Sequence, residues 1–467
     1  MMRWRISVRT FADVFTAIYF TPTPSSDLTL AGLEVSLFMV IINPSASTHD
    51  SLSDHLFAPA LALLPACSHL RHCPELPDSR WLHIGVSRCL LPLTSGRGFL
   101  QWFSSLAPHL CPDHSHFFAT LHSSRRLALV DALNARLCQH SRASLPDALK
   151  VFPCLDGFDV YAGDGHFHAH AVHDKADEKG RKHAVGHLFT RDLRTGLLQH
   201  LCVADQVERK KEHDMRALKR LTITTLRQGA KKGRKVLYVW DRAGIDFKQW
   251  YDWKQGSGIY MLSRCKENMA LIKCGDLPFD AGDAINAGVL KDELVGPSGS
   301  GEAMRRITYQ DVVSGLTYEY LTNVTDTKVP PGLLAWLYKT RWDIEKSFDE
   351  IKNKLGEQKA WGSSATAKSM QAQFICLTLN LLHLLEHELK AKEGIVNEAE
   401  DKRREKRLGM VREGLKKAGA VLPKALELVQ RSTQHSVKFI RWVASRLWRN
   451  DPWKLACVAL AALYARL

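Results

Sequence analysis

None of the 11 cysteines forms a Cys-x2-Cys pair, so the usual zinc-finger spacing is excluded. An odd, scattered count suits reduced thiols better than a disulfide framework. No apolar run is long enough to span a bilayer. The best candidate, Ala31 to Asn43, is short and carries Glu34. Arg3, Arg5 and Arg9 precede an apolar stretch, but Asp13 interrupts it, so a cleaved leader is not expected. No internal repeat recurs at a fixed period. Lysine is absent until Lys150, which marks a compositional break.

What is present is ordinary in bulk and unusual in charge. The 467 residues are 45% hydrophobic and 24% charged, within the globular range. At ~150 residues per domain this length suggests about three domains. The 64 Lys and Arg exceed the 49 Asp and Glu, for a net charge of +15. Such an excess points to a polyanionic partner, most often nucleic acid; the plain alternative is a basic protein with none.

The first 97 residues show no sustained period and many Pro and Ser breakers, so no fold is assigned to them. Part of this stretch could be upstream sequence translated from a start placed too early. Residues 98–150 read as helical, with Phe99, Trp102, Phe103 and Leu106 at helix spacing and a second helix over Arg125 to Cys138. Strands are expected over Phe158 to Gly163, His183 to Thr190, Leu197 to Ala204, Val236 to Trp240 and Ile259 to Ser263. The basic stretch Glu208 to Lys235 reads as one helix, and another is expected near Phe247 to Trp253. Residues 264–331 read as β and loop, with a flexible link at Gly296 to Gly301 and a hairpin around Ser314-Gly315. A long helix runs from Pro331 to about Leu355, and a very apolar one covers Gln371 to Glu388. Residues 391–467 are helical and basic. From Glu388 to Leu467 there are 18 Lys and Arg against 9 Asp and Glu. Trp442, Trp448 and Trp453 imply that the chain's end packs on something. Strands alternating with helices in this order define a mixed α/β fold.

The segment Tyr338-Lys339-Thr340-Arg341-Trp342-Asp343-Ile344-Glu345, continuing to Lys352, carries the most chemistry. At 100° per residue, Tyr338, Arg341, Glu345 and Lys352 share one helix face. Ile344, Phe348, Ile351 and Leu355 form an apolar stripe beside it. Cations on such a face can hold phosphates while the carboxylate holds a metal. The plain alternative is a surface helix with ion pairs worth a few tenths of a kcal/mol, or about that. Asp164 follows the first strand in Tyr161-Ala162-Gly163-Asp164-Gly165. Asp241 follows the fourth in Val239-Trp240-Asp241-Arg242. Carboxylates at strand ends are well placed for a site just outside a sheet. Asp246 and Asp349 are nearby carboxylates that could be confused with them. Asp349 is expected to partner Arg341, Lys352 or another basic side chain.

Two rival features stand out. His166, His168, His170 and His173 could converge on a transition metal, since alternate strand residues share a face. That would make a zinc-type hydrolase, although Asp174 follows the last His instead of lying between them. Arg209, Lys210, Lys211, Arg216, Lys219 and Arg220 form a basic run that could contact phosphate or simply be solvated.

Tyr-x2-Arg-x3-Glu-x6-Lys resembles the signature of the bacterial insertion-sequence DDE transposases of the family numbered four. Leu321-Thr322-Asn323 before it, and Gly362-Ser363-Ser364 with an apolar helix after it, also look like that family. The resemblance covers roughly residues 155–390. Ile245 departs from it, standing where an aromatic is expected. The resemblance implies a ribonuclease-H-like mixed sheet interrupted by a β-rich insertion, with helical N- and C-terminal regions. The core would be residues 151–263 and 332–390, with residues 264–331 as the insertion. It implies Asp164, Asp241 and Glu345 as catalytic metal ligands for Mg²⁺, with Mn²⁺ as a possible substitute. Tyr338, Arg341 and Lys352 would bind DNA phosphates. The implied reaction is metal-dependent cleavage at transposon ends, then strand transfer into target DNA. Double-stranded DNA would be the partner, terminal inverted repeats and target alike, with a homodimer in the end complex. Residues 98–150 would read the transposon end. The protein would be cytoplasmic and associated with the bacterial nucleoid. The remaining alternative is a DNA-binding derivative whose triad is inactive.

Overall fold

The computed structural model describes residues 50–67, 75–91, 95–204, 206–207, 210–267, 269–297, 303–312, 314–355, 359–417, 419, 421, 435–449 and 451–465. The expected upstream extension therefore falls largely on residues outside the described set, as do most of the Gly296 to Gly301 link and the side chains of Arg209, Lys210 and Lys211.

Among the described residues one sheet has nine strands. They are β1 (Phe158–His168), β2 (Val185–Asp192), β3 (Leu198–Ala204), β4 (Lys235–Val239), β5 (Ile259–Arg264), β6 (Leu271–Asp276), β7 (Val289–Pro297), β8 (Met304–Gln310) and β9 (Thr317–Thr322). The spatial order is β3-β2-β1-β4-β5-β9-β8-β7-β6. The β1–β4 and β4–β5 pairs are parallel and the others antiparallel. Strands β6 to β9, expected as an insertion, extend this sheet because β9 pairs directly with β5.

Helices cover the sheet and form a second core. The early stretch that showed no period contains α1 (Leu52–Leu63) and α2 (Asp78–Leu90). Next come α3 (Gly96–Leu106), α4 (His114–Thr120) and α5 (Ser124–Ser141). Serine hydroxyls cap several starts: Ser51, Ser95 and Ser123 each accept a bond from a first-turn backbone N–H. Leu56, Phe57, Trp81 and Leu133 are buried in one cluster with Phe374 and Leu377 of α11 (Ala365–Lys392). Gly85 is required there, because a Cβ would lie 2.1 Å from the Phe374 ring. Asn380 of α11 also fastens edge strand β3, donating to the Leu198 carbonyl and accepting from its N–H at 2.9 and 2.8 Å.

The basic stretch expected as one helix is instead two short ones, α6 (Asp214–Lys219) and α7 (Ile223–Leu226). Thr222 caps a new start by accepting from Thr225 N–H, and β-branched Ile223, Thr224 and Thr225 follow. The next helix is α8 (Phe247–Ser257). The long helix from Pro331 is also divided. It comprises α9 (Pro331–Thr340), α10 (Trp342–Asp349) and a π-helical turn over Glu350–Lys354, closed by Leu355 N–H donating to Glu350 C=O at 2.9 Å.

The C-terminal region contains α12 (Glu398–Lys417), α13 (Val437–Arg446) and α14 (Trp453–Ala465). Trp442 and Trp453 are buried with the N-terminal helices, and Trp448 meets the Phe103 ring edge-on at 5.3 Å.

A buried ion pair steadies the approach to α9. Arg305 on β8 and Asp292 on β7 are both inaccessible and 2.6 Å apart, and Arg305 also donates to the Val329 carbonyl at 2.8 Å. Asp292→Ala would leave that guanidinium uncompensated, so a loss of about 3–5 kcal/mol is expected in urea unfolding. A loss below about 1 kcal/mol would show that the site re-pairs or hydrates at little cost.

Candidate active site

The parallel pairing of β1 with β4 ends at Ala162 opposite Val239. Asp164 and Asp241 each lie two residues beyond that last pair, in equivalent register. Side chains alternate along a strand, so both carboxylates fall on one face. Asp164 was expected at a strand end, but β1 continues to His168 because β2 pairs with it throughout Tyr161–His168. The parallel ladder alone stops. Gly163 lies against the Trp240 ring, where a Cβ would be 1.9 Å from ring carbon. Asp241 accepts from Ala243 N–H at 2.8 Å and so starts a short 3-10 turn; Ser263 Oγ donates to its carbonyl at 2.8 Å.

Glu345 approaches from α10, packed on the same face through Ile344 and Phe348. Arg341, at the junction of α9 and α10, joins the elements. One Nη donates to Asp164 Oδ2 at 2.8 Å and the other to Glu345 Oε1 at 2.8 Å. Its guanidinium carbon lies 5.7 Å from the Tyr338 ring centre. Tyr338 packs on Tyr320 of β9 at 4.9 Å. Lys352 sits in the π turn and is exposed. Asp349 accepts from Asn353 Nδ2 at 2.6 Å, while Arg341 is held by Asp164 and Glu345. Asp246 caps α8 and pairs with Lys219 at 2.5 Å. Arg220 pairs with buried Glu212 at 3.1 Å, so two cations of the basic run are engaged in ion pairs.

Burial pushes the Asp164 carboxyl up to about 6; Arg341 opposes the rise, and Asp241 and Glu345 add to it. Burial also opposes charge on Arg341, but Asp164, Tyr338 and Glu345 more than offset it and raise its pKa. Asp241 and Glu345 thus both act on Asp164, and a guanidinium supplies the cation between Asp164 and Glu345. Among the described residues, no three His, Cys, Asp or Glu side chains are already gathered as one coordination sphere.

Nothing in the sequence pattern marked Glu212, His213 and Asp214, yet they line a cleft with Asp164, Gly165 and Asp241. Asp214 Oδ2 accepts from Trp240 Nε1 at 3.4 Å. The available signal was an acidic pair inside a basic run.

The histidines divide. His166 and His168 share the Asp164 face of β1, and His187 and His200 from β2 and β3 extend the row. His187 Nδ1 and His200 Nε2 are 3.1 Å apart. His170 and His173 lie beyond the end of β1.

Residues 122–381 match the family described as the transposase DDE domain. That is more than half of the chain, and the chain belongs to this family: it is a DDE transposase. No curated protein matches it. Among solved structures, a cryo-EM structure of the piggyBac transposase synaptic complex with hairpin DNA is similar. The identity is 8%, the match covers 88% of this chain and 82% of that chain, and the TM-score is 0.35. That likeness is too distant to carry residue roles across.

Gly163→Ala forces the Trp240 ring away from β1 next to both aspartates. It should cost about 1–3 kcal/mol in thermal unfolding. Gly157→Ala, where a Cβ meets nothing within 4 Å, is the matched control and should change little. Equal effects would show that the Trp240 contact is not the constraint.

Proposed function

We propose that this transposase cuts DNA at the ends of its own mobile element and joins the freed 3′-OH to target DNA. The proposed core is ribonuclease-H-like and of the insertion-sequence family numbered four. Asp164, Asp241 and Glu345 are the metal-binding carboxylates of this reading. The observation that carries it is the common face: two aspartates in equivalent register on adjacent parallel strands, with a glutamate from the helix that covers them. The mixed order β3-β2-β1-β4-β5, with the first three strands antiparallel and the last two added in parallel, supports the core assignment.

The donor set fits a hard divalent ion. All three groups are carboxylates, and Asp164 and Glu345 already share one cation, the Arg341 guanidinium. Oxygen donors suit Mg²⁺, with Mn²⁺ as a substitute. When bound, such ions supply Lewis-acid stabilisation of phosphoryl oxygens and a nucleophile at neutral pH. The chain's own groups do the positioning. Arg341 and Tyr338 border the carboxylates, where a phosphate of the cut strand would lie. Exposed Lys352 reaches the backbone beyond it. Double-stranded DNA is the partner, and two copies of the chain are proposed to hold the two ends. No described helix is long and apolar enough to cross a membrane.

The test is cleavage of DNA carrying the element's flanking repeats, in Mg²⁺ or EDTA. Wild type should nick at the repeat ends in Mg²⁺ alone. Asp164→Asn, Asp241→Asn and Glu345→Gln should bind the DNA, melt near wild type and not cut. Full activity in any one would remove that residue from the triad. Binding without cleavage by wild type would favour an inactive derivative. Cleavage that needs Zn²⁺ and survives Glu345→Gln would favour the histidine row.

Two further outcomes follow from the same reading. Lys352→Ala should weaken end binding and lower the slope of log affinity against log salt by about 1. An unchanged slope would remove Lys352 from the phosphate contacts. Protonation of Asp164 competes with metal binding, and its pKa of about 6 places that competition just below neutrality. The Mn²⁺ concentration needed for half-saturation of the DNA-free protein should therefore rise as pH falls from neutrality to about 5. A flat profile would separate Asp164 from the ion.

A further inference from the structure

Arg341 is nine-tenths buried and spends both terminal nitrogens on carboxylates, one on Asp164, 177 residues away in sequence, and one on Glu345, four residues along its own helix. Its Nε is buried and has no hydrogen-bond partner among the described residues. The fork is therefore charge-satisfied but not fully hydrogen-bonded. Asp241 adds a further negative charge that acts on Asp164. With Arg341 in place the three carboxylates are under-neutralised. With two divalent ions added and Arg341 still in place, the site would be strongly over-neutralised unless a phosphate arrived.

We propose that Arg341 is the resident counter-ion of the DNA-free enzyme: it holds Asp164 and Glu345 until divalent ions take them, and then turns to a DNA phosphate. This rests on reading Asp164, Asp241 and Glu345 as the metal ligands. Arg341 takes one oxygen of each carboxylate and Gly165 N–H takes the other oxygen of Asp164 at 2.8 Å, so at Asp164 the guanidinium and an ion compete for the same donors. The phosphate and the carboxylates in turn draw on the same guanidinium. Metal binding and end binding are thereby linked through one side chain. Linkage of this kind is reciprocal: a phosphate that draws Arg341 away strengthens ion binding, and ions that displace it strengthen phosphate binding. The enzyme without DNA is then a poor metal binder. This limits cutting away from element ends.

Arg341 stands where the helix is interrupted. Its backbone N–H is shared between the Leu337 and Tyr338 carbonyls at 3.2 Å each, at the break between α9 and α10. Arg341 is thus a positioning residue whose two sets of partners define two states. A merely structural role, pinning α10 to β1, makes a different prediction: its loss would loosen the carboxylates and weaken ion binding.

The experiment measures Mn²⁺ binding to the full chain by calorimetry, with and without a duplex carrying the element's flanking repeat. Wild type should bind Mn²⁺ more tightly with the duplex than without it. Arg341→Ala should bind Mn²⁺ about tenfold more tightly than wild type without DNA, the worth of one charge-assisted hydrogen bond given up by the carboxylates. The duplex should then add little. Arg341→Gln removes the charge but keeps a shorter polar side chain, and its melting in EDTA and in Mn²⁺ guards against misfolding. A low melting temperature in EDTA, restored by Mn²⁺, supports the counter-ion role. Unfolding of both variants in either condition overturns it in favour of a structural one. Folded variants with Mn²⁺ affinity equal to or weaker than wild type overturn the counter-ion role and leave the metal site standing. Mn²⁺ binding absent from wild type with the duplex present, or unaffected there by Glu345→Gln, overturns both.

Discussion

The constraint on which the site depends is the length of the β1–β4 ladder. Parallel pairing fixes Ala162 opposite Val239 and then ends. The next same-face position beyond that pair is an aspartate on each side. Pairing could not simply continue through both. On β4 the chain turns off at Asp241 into a 3-10 turn capped by that same side chain. On β1 it runs on, held by β2. Gly163 lets the Trp240 ring lie over the point of divergence, packing the opposite face while the carboxylates stay open to the cleft.

The third carboxylate needs a helix placed over that face, and the sheet's extension provides it. Strand β9 returns the chain beside β5, and the Arg305 fork holds the Val329 carbonyl just ahead of α9. Leu333, Leu334 and Leu337 then bury against the sheet while Ile344 and Phe348 bury further along. The helix is anchored beyond the site too. Buried Glu350 accepts from the backbone N–H of His435 and pairs with its ring at 3.2 Å, and Lys354 donates to the His435 carbonyl at 2.5 Å. The π turn that carries Lys352 is thus tied to the C-terminal helical region. Buried charges here are paired or hydrogen-bonded, as Arg142 is with Asp159 and Asp192, so their loss would be costly.

The mixed α/β class and the signature helix were legible because each is written locally. Alternation marks strands, and the spacing of Tyr338, Arg341 and Glu345 follows helix geometry. What depends on distant partners was not legible. Gly163-Asp164-Gly165 reads as the end of the first strand, and only pairing with β2 keeps it extended to His168. Helix α1 contains Pro59 and α2 contains Gly85, so neither advertises itself; both are stabilised by burial against α11. A helical wheel places Arg341 beside Glu345 but says nothing of Asp164. The full partnership of that arginine therefore emerges only from the fold. Likewise Glu212 looked like part of a solvated basic run, although it is buried and paired with Arg220.

The histidine row shows why proximity to the acidic site is not itself a sign of chemistry. His166, His168, His187 and His200 continue the Asp164 face across three strands, and Phe348 of α10 stacks on His166 at 4.7 Å. Burial, with a smaller contribution from the neighbouring His168, lowers the pKa of His166 and of His200 to about 3. The rings of His166 and His200 are therefore neutral at pH 7. Neutral imidazoles neither attract phosphate nor compete with Arg341 for Asp164. What they offer is a polar but uncharged layer that can be packed under an aromatic side chain. Charged residues in the same place would repel or capture the groups beside them. The row lets α10 sit close on β1 next to an acidic centre without altering its charge, and that closeness is what brings Glu345 to Asp164.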